Sequence, residues 1–228
     1  MVKPDYQHIW DCCCDHGFLG ISLLSNQAAE TIHFVDIVPE LVANLENKLR
    51  QFHDKALDLE KTPRQFHDKP QSKWKTHCVD VAALLIGKYE GKHLVIIAGV
   101  GGDLMTRMID AIHQRHQHLN IDFLLCPVNR QFIVREKLIA LKFGLYDEIL
   151  IEDKQRFYEI LFVSSTPQSN SSISPVGDKI WQAGTTSQTQ IIQDYLNKTL
   201  NYYQKVRQGN ESNVEHIISA YQAVKLSA

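Results

Sequence analysis

The sequence lacks the features that mark several protein classes. No apolar run approaches the roughly 18 residues that a membrane span needs, and no signal peptide is visible, so we expect no membrane contact. There are 5 cysteines, three of them adjacent, and no paired CxxC motif, which disfavours a disulfide framework and favours a reducing cytoplasm. The net charge of -2 gives no overall basic excess, so any surface that binds phosphates must be local.

What the sequence does contain is a regular alternation of two patterns. Between His8 and Ser164, short apolar and β-branched runs alternate with stretches of helical period, which is typical of repeated βα units around a parallel sheet. The predicted strands are His8 to Cys12, Thr31 to Val35, Lys75 to Val79, His93 to Ala98, Asp122 to Cys126, Leu145 to Ile151 and Phe157 to Ser164. The predicted helices between them are Phe18 to Ser25, Pro39 to Phe52, Val81 to Ile86, Leu104 to His116 and Gln131 to Lys142.

The last two predicted strands are joined by a short charged turn, Glu152 to Gln155, and must therefore be antiparallel. The sequence thus predicts an α/β fold with a Rossmann-like, seven-stranded, mostly parallel sheet that ends in an antiparallel hairpin. This is the arrangement of class I methyltransferases, whereas dinucleotide-binding domains usually end on a parallel strand.

The C-terminal part has a different composition. We expect an α/β domain at residues 1–165, a linker rich in Ser, Pro, Gln and Gly at 166–185, and a coiled-coil-like helical appendage at 186–228. Two amphipathic helices, Gln188 to Arg207 and Asn213 to Ala223, form the appendage as a hairpin. It serves either to pack against the domain or to dock RNA.

A hexapeptide occurs twice without change, as Arg50 to Lys55 and again as Arg64 to Lys69. The surrounding segment, Lys48 to Lys75, contains eight Lys or Arg and four Asp or Glu, and is locally net +4. It is either a solvated helix face or a surface that contacts phosphates, with Phe52 and Phe66 as stacking groups.

Chemistry-bearing residues follow each of the first four predicted strands, where open α/β sheets bind ligands. Asp36 suits the ribose hydroxyls of a nucleoside and Asp80 its exocyclic amine, while Ile37 and Val81 could enclose an adenine ring. The cluster Gly99 to Gly102 is either a plain tight turn or a close approach of backbone to ligand. The predicted ligand is S-adenosyl-L-methionine.

The loop after the first strand is poor in glycine, with only Gly17 and Gly20. Cys13 can replace a glycine there if its φ is negative, and Asp15 can tolerate a left-handed conformation. The cysteine triplet with His16 is a poor metal site, because adjacent side chains point in different directions. His113, His116 and His118 do not share one helix face, so we expect no metal there and a solvated helix end instead.

Four segments together resemble a known family. They are Asp11-x-x-x-Asp15-His16-Gly17-Phe18-Leu19, Ile97 to Gly102, Pro127 with Arg135-Glu136 eight residues on, and Asp147-Glu148 with Phe157 to Ile160. Over about residues 8 to 164 they resemble the bacterial tRNA (adenine-N1)-methyltransferases that modify position 22. The resemblance implies a class I fold, S-adenosyl-L-methionine as methyl donor, and N1 of an adenine in the D-arm region of tRNA as acceptor.

The residues and the resemblance together give a set of candidate sites, with tRNA as partner and a monomer or weak dimer as the expected state. Asp15 is the candidate catalytic residue. The candidate cofactor-binding residues are Asp11, Cys12, Cys13, Asp15, His16, Gly17, Phe18, Asp36, Ile37, Asp80, Val81, Ala98 and Gly99. The candidate substrate-binding residues are Gly101, Gly102, Asn129 and Arg135.

The chain departs from the family pattern in specific places. The family commonly has glycine at the position of Cys13, an aromatic hydroxyl at that of Phe18, and an Asn directly after the proline, where this chain has Val128 and then Asn129. Only seven residues precede the first predicted strand, where the family carries a basic helix. The alternatives are a methyltransferase for another RNA site or a small molecule, and a non-catalytic protein that binds RNA or cofactor.

Overall fold

The computed structural model describes residues 5–60, 72–167, 172–209 and 213–227, with side chains throughout except at 52–60. The strands are β1 (Tyr6–Cys12), β2 (Ala29–Asp36), β3 (Lys73–Cys78), β4 (His93–Ala98), β5 (Ile121–Cys126), β6 (Gly144–Asp153) and β7 (Arg156–Ser164). The helices are α1 (Phe18–Ser25), α2 (Pro39–Glu60), α3 (Gly102–Arg115), α4 (Gln131–Ala140), α5 (Thr186–Gln208) and α6 (Glu215–Gln222).

The seven strands form one sheet in the order β3-β2-β1-β4-β5-β7-β6. The strand β1 pairs in parallel with β2 and β4, and β2 pairs in parallel with β3. The final pair, β6 and β7, is antiparallel. Its two-residue turn, Lys154 and Gln155, has φ values of 48° and 63°, as a tight hairpin that follows the strand twist requires. The predicted fold class is confirmed.

Some boundaries differ from the prediction. Residues predicted as a helix from Val81 to Ile86 form two short 3-10 turns instead, Val81–Ala83 and Ile86–Lys88. The Asp80 carboxylate caps the first turn by accepting a hydrogen bond from the Ala82 amide. The second copy of the hexapeptide, including Phe66, lies outside the described residues, as does the side chain of Phe52.

Backbone contacts divide the chain into two compact units, each with its own core. The first unit comprises Met1–Gly99 and Arg107–Leu124, and its core centres on the buried strands, with Ile9, Ile32 and Phe34 fully enclosed. The second comprises Val100–Thr106 and Leu125–Ala228. Its core packs Phe132 and Trp181 against apolar residues of α5 and α6. Within the described ranges, no helix combines the length and apolarity needed to cross a bilayer.

Candidate active site

The carboxyl ends of β1, β2, β3 and β4 meet at one edge of the sheet in the first unit. In the register, Cys12 lies beside both Val35 and Ile97, and Asp36 lies beside Cys78. Because these strands run parallel, the segments that follow them leave the sheet at the same edge. The four candidate segments singled out in the sequence therefore converge.

The loop after β1 has an unusual backbone. Cys13, Asp15 and Gly17 all have positive φ, at 57°, 47° and 71°. The Gly17 amide donates to the Cys14 carbonyl at 2.7 Å, which closes the loop at the start of α1. The condition set for Cys13 in place of glycine, a negative φ, is therefore not met, while Asp15 does adopt the left-handed conformation that an acidic residue can tolerate.

The Asp11 carboxylate ties β1 to α1. Its Oδ2 accepts a hydrogen bond from the Gly20 amide at 2.8 Å, and a Cβ on residue 20 would itself lie 2.8 Å from this oxygen. Glycine at position 20 is what admits the carboxylate. Burial raises the pKa of Asp11 to about 6, and the Gly20 hydrogen bond opposes that shift. Asp11 thus fixes the loop between β1 and α1, because it lies near the end of β1 and its carboxylate binds the backbone of α1.

Asp36 is oriented by two backbone donors. Its Oδ2 accepts from the Asp15 amide and its Oδ1 from the Val38 amide, both at 3.0 Å. Although the residue is only 8% exposed, each carboxylate oxygen has a second lone pair beyond these bonds. A carboxylate held in this way is suited to accept hydrogen bonds from two neighbouring hydroxyls.

The thiol of Cys13 shows that three carboxylates surround the loop. Burial and the negative charges of Asp36, Asp80 and Asp11 together raise its pKa to about 11. Burial and the charges of Asp11 and Asp36 likewise raise the pKa of the neighbouring Cys14 to about 12. Both thiols stay protonated at neutral pH and add no charge of their own. The three carboxylates give this edge of the sheet a negative field, which favours a cationic ligand.

Apolar surface accompanies these carboxylates. Ile37 is 63% exposed and Phe18 is 77% exposed, although both are large hydrophobic residues. Gly99 has φ of +79°, and a Cβ there would meet nothing within 4 Å, so the backbone after β4 borders open space. An exposed apolar face beside hydrogen-bond acceptors is suited to a purine ring and its sugar.

Two candidates occupy different environments from those expected. The Val81 side chain is buried in the core, since it begins a 3-10 turn that packs against the sheet. The Cys12 thiol is buried too, because its side chain leaves the strand into the core. Leu85, which sequence reasoning missed, is exposed although it is a large hydrophobic residue, and its neighbour Leu84 is buried.

Asp15 and His16 lie at the surface of the loop. The Asp15 carboxylate is 3.6 Å from His16 Nδ1, and both side chains are more than half exposed. The His16 ring meets the Phe18 ring edge to face at 5.9 Å between centroids. Asp15 is therefore accessible to a ligand, which its proposed catalytic role requires.

The glycines after β4 and the loop after β5 contact each other in the second unit. The Gly102 amide donates to the Asn129 carbonyl at 3.2 Å, and a Cβ on residue 102 would lie 2.7 Å from the Arg130 carbonyl. Gly102 is therefore buried by close packing of two backbones. Gly101 is partly exposed and the Asn129 amide is exposed, so these two remain able to contact a substrate.

Arg135 requires a correction. It is completely buried and pairs with Glu148 at 2.7 Å and with Glu159 at 2.8 Å. Burial alone would lower its pKa, but the two carboxylates raise it. Tyr195 donates a short hydrogen bond to Glu159. A guanidinium with no exposed surface cannot contact phosphate, so Arg135 joins α4, β6, β7 and α5 instead of binding substrate.

A histidine array on the first unit was not foreseen. His8, His33 and His77, on three adjacent strands, are joined ring to ring by hydrogen bonds of 3.0 Å and 2.9 Å. His8 Nε2 bonds the Glu90 carbonyl at 3.1 Å, and a carbonyl only accepts. In neutral rings His8 and His33 therefore donate through Nε2 and accept through Nδ1, and His77 donates through Nε2 to His33. The signal in the sequence was one histidine in each strand, but recognising it required the register.

His116 also differs from its expected setting. It is buried rather than at a solvated helix end, and its Nε2 bonds the Leu84 carbonyl at 2.9 Å. His118 is exposed, with its ring 6.3 Å from that of His116. In the part of the chain that the structure describes, no three His, Cys, Asp or Glu side chains are grouped to hold a metal ion.

Comparisons with known proteins agree with this architecture. Three similar solved structures are TrmK of M. capricolum in complex with S-adenosyl-homocysteine, the Streptococcus pneumoniae protein Sp1610 in complex with S-adenosyl-L-methionine, and the B. subtilis m1A22 tRNA methyltransferase TrmK. Their identities to this chain are 14%, 18% and 16%, and their TM-scores are 0.65, 0.64 and 0.61. The matches cover 95%, 97% and 96% of this chain and 86%, 93% and 88% of the respective structures.

At such identities these likenesses establish the fold. The sequence matches none of the curated proteins. A family model described as methyltransferase domain matches residues 1–161, which is well over half of the chain. This match includes the whole of the converging edge formed by β1 to β4, and the chain therefore belongs to the methyltransferase-domain family.

Proposed function

We propose that this protein transfers the methyl group of S-adenosyl-L-methionine to N1 of an adenine in tRNA, at position 22. The observation that carries the proposal is the convergence of the Asp11 loop, Asp36, Asp80 and Gly99 at one edge of the sheet. The match of the B. subtilis m1A22 tRNA methyltransferase TrmK over 96% of this chain supports the choice of substrate.

The residues at this edge fit the cofactor. The Asp36 carboxylate, held by two backbone amides, would accept the ribose hydroxyls, and the exposed Asp80 the adenine amine. Ile37 offers an apolar face to the ring, and the open backbone at Gly99 admits the ligand without a Cβ in the way. The negative field around Cys13 suits a sulfonium cation.

The bound cofactor supplies an electrophilic methyl group. Adenine N1 has a free lone pair at neutral pH and no proton to lose, so the protein needs no general base for the transfer. Positive charge develops on the base as the new bond forms, and the exposed Asp15 carboxylate would stabilise that charge. Gly101 and Asn129 are proposed to contact the RNA substrate, and catalysis comes mainly from positioning.

The free thiols of all five cysteines favour a reducing compartment, and we place the reaction in the cytoplasm. We propose separately that the protein acts as a monomer or weak dimer.

The cofactor assignment is tested by calorimetry with S-adenosyl-homocysteine. The wild type should bind, and Asp36→Ala should lose most of the affinity because the hydroxyls lose their acceptor. Glu30→Ala is a matched control, since Glu30 is an exposed acid at the opposite end of the same strand. Absence of binding by the wild type, or equal binding by Asp36→Ala, would reject the enzyme assignment in favour of a protein without transfer activity.

The substrate is tested with labelled cofactor and unmodified tRNA transcripts, followed by identification of the methylated nucleoside. We expect N1-methyladenosine from a transcript with adenine at position 22, and none when that base is guanine. Label in another nucleoside would indicate a different RNA site. Label transferred to no RNA by a protein that binds the cofactor would point to a small-molecule substrate.

A further inference from the structure

A cavity of about 200 Å³ lies in the second unit, between the loop after β5 and α5. Sites for drug-sized ligands measure roughly 300–1,000 Å³, so this cavity fits a group the size of one nucleobase but not a whole cofactor. Four aromatic side chains and two cationic ones line it. They are Phe157, Tyr195, Tyr202, Tyr203, Arg130 and Lys198.

The charged side chains that line the cavity are both cationic. Of the described residues that line it, none is acidic, and the amides of Asn129 and Gln131 add neutral donors and acceptors. Aromatic faces stack on bases, cations contact phosphates, and amides pair with base edges. This is the chemistry of a nucleotide site, in a protein whose overall charge is negative.

Both cations are held in place. Lys198 Nζ lies 5.2 Å from the centroid of the Phe157 ring and donates to the Gln155 carbonyl at 3.3 Å, which leaves further ammonium protons for a ligand. Arg130 Nη1 lies 3.0 Å and 2.8 Å from the two carboxylate oxygens of Asp103. The left-handed backbone of Arg130, with φ of 54°, places this side chain at the cavity.

Tyr202 supplies the exposed aromatic surface. It is 46% exposed and lies one helical turn beyond Lys198, so the two residues share a face of α5. Its ring is held edge to face by Tyr203 at 5.0 Å between centroids, and Tyr203 is buried. A large exposed ring fixed by a buried one is suited to stacking.

We propose that this cavity binds a nucleotide of the RNA other than the target adenine, with its base against Tyr202 and its phosphate at Arg130 and Lys198. The inference rests on the proposed function. The target adenine itself is a poor occupant, because methylation at N1 makes the base cationic, and the Lys198 ammonium, with no acidic residue in the described lining, would oppose that charge. The base of any other nucleotide stays uncharged throughout the reaction, while its phosphate stays negative.

The test compares full-length variants in tRNA binding and in steady-state methylation. Tyr202→Ala should raise the KM for tRNA about 5- to 100-fold, the range for loss of one base stack, while kcat at saturating tRNA stays within about twofold of wild type. Tyr202→Phe should restore the KM because it keeps the ring. Lys198→Ala should raise the KM more than Lys205→Ala, which removes the same charge from an exposed site of α5 outside the cavity.

Several results would overturn the inference while leaving the proposed function intact. One is a KM for tRNA in Tyr202→Ala that equals the wild-type KM. Another is an equal rise in the KM of Lys198→Ala and Lys205→Ala, which would indicate diffuse electrostatic attraction of the tRNA. A fall in kcat with unchanged KM would assign the cavity to the target base. If the wild type binds AMP, and if Tyr202→Ala loses AMP binding but keeps tRNA binding, the cavity is assigned to a free nucleotide. Thermal denaturation and S-adenosyl-homocysteine binding check that each variant is folded, and failure of the wild type to methylate any tRNA would instead reject the proposed function.

Discussion

At the scale of single residues, Cys13 holds a backbone conformation that costs free energy in any residue with a Cβ. We expect Cys13→Gly to stabilise the protein by about 0.5–1 kcal/mol, because relief of the left-handed strain exceeds the added flexibility of glycine in the unfolded chain. Urea denaturation without cofactor measures this. Cys14→Gly is the matched control, since Cys14 is not among the residues with positive φ, and it should destabilise. Equal effects of both changes would show that the strain at Cys13 is negligible.

The buried Arg135 gives a second prediction at this scale. Arg135→Met should destabilise by roughly 3–5 kcal/mol, because it leaves the buried Glu148 and Glu159 carboxylates without a cation. The exposed Lys179 and Asp147 pair provides a contrast, and Lys179→Ala should cost about 0–1 kcal/mol. Chemical denaturation followed by circular dichroism compares them. A small loss of stability combined with weak tRNA binding in Arg135→Met would restore Arg135 as a substrate contact.

At the scale of elements, the histidine array makes the stability of the fold depend on pH through three adjacent strands. Burial and the neighbouring histidines lower the pKa of His33 to about 2, and burial lowers those of His8 and His77. Lys75 and Tyr89 also face the array. A lowered folded-state pKa means that the unfolded chain binds protons first. The stability is therefore present above the ordinary pKa of 6.5 and is lost as pH falls from there toward 2.

The prediction is that the free energy of unfolding falls steadily between pH 6.5 and pH 4, and that His33→Phe flattens this slope. Phe keeps a ring against Trp10, which stacks on His33 at 3.8 Å between centroids, but binds no proton. His118→Phe, at an exposed site, should leave the slope unchanged. Urea titrations at several pH values give the slopes, and an unaltered slope in His33→Phe would show that the array does not govern acid stability.

The same elements show what a sequence can and cannot reveal. Strand ends and the final hairpin were predictable because side chains alternate along strands and because charged turns interrupt them. The run from Val81 to Ile86 was misassigned, since short apolar segments fit several structures and only tertiary packing chose 3-10 turns. The histidine array depends on the register of the strands, and the cavity at Tyr202 depends on how α5 packs. A single sequence predicts neither the register nor the packing. Arg135 was misread because burial of a charge depends on distant partners.

At the scale of the whole molecule, the two proposed ligands belong to different units. The candidate cofactor residues lie within Met1–Gly99, whereas the cavity at Tyr202 lies within Leu125–Ala228. A ligand stabilises the segments that it orders, and slower amide exchange reports that ordering. Each ligand should therefore leave a separate pattern of protection.

We expect S-adenosyl-homocysteine to slow hydrogen exchange in residues 13–20, 36–38 and 80–85, because these segments carry the acceptors and the apolar face of the proposed cofactor site. An unmodified tRNA transcript should slow exchange in residues 127–131 and 195–206, which contribute the cavity. Mass spectrometry of the full-length protein with each ligand alone makes the comparison, and Asp36→Ala should lose the first pattern but keep the second. Protection of 127–131 by the cofactor product, with 13–20, 36–38 and 80–85 all unchanged, would contradict the assignment of the cofactor to the first unit, since no residue of the proposed site would then respond to its own ligand.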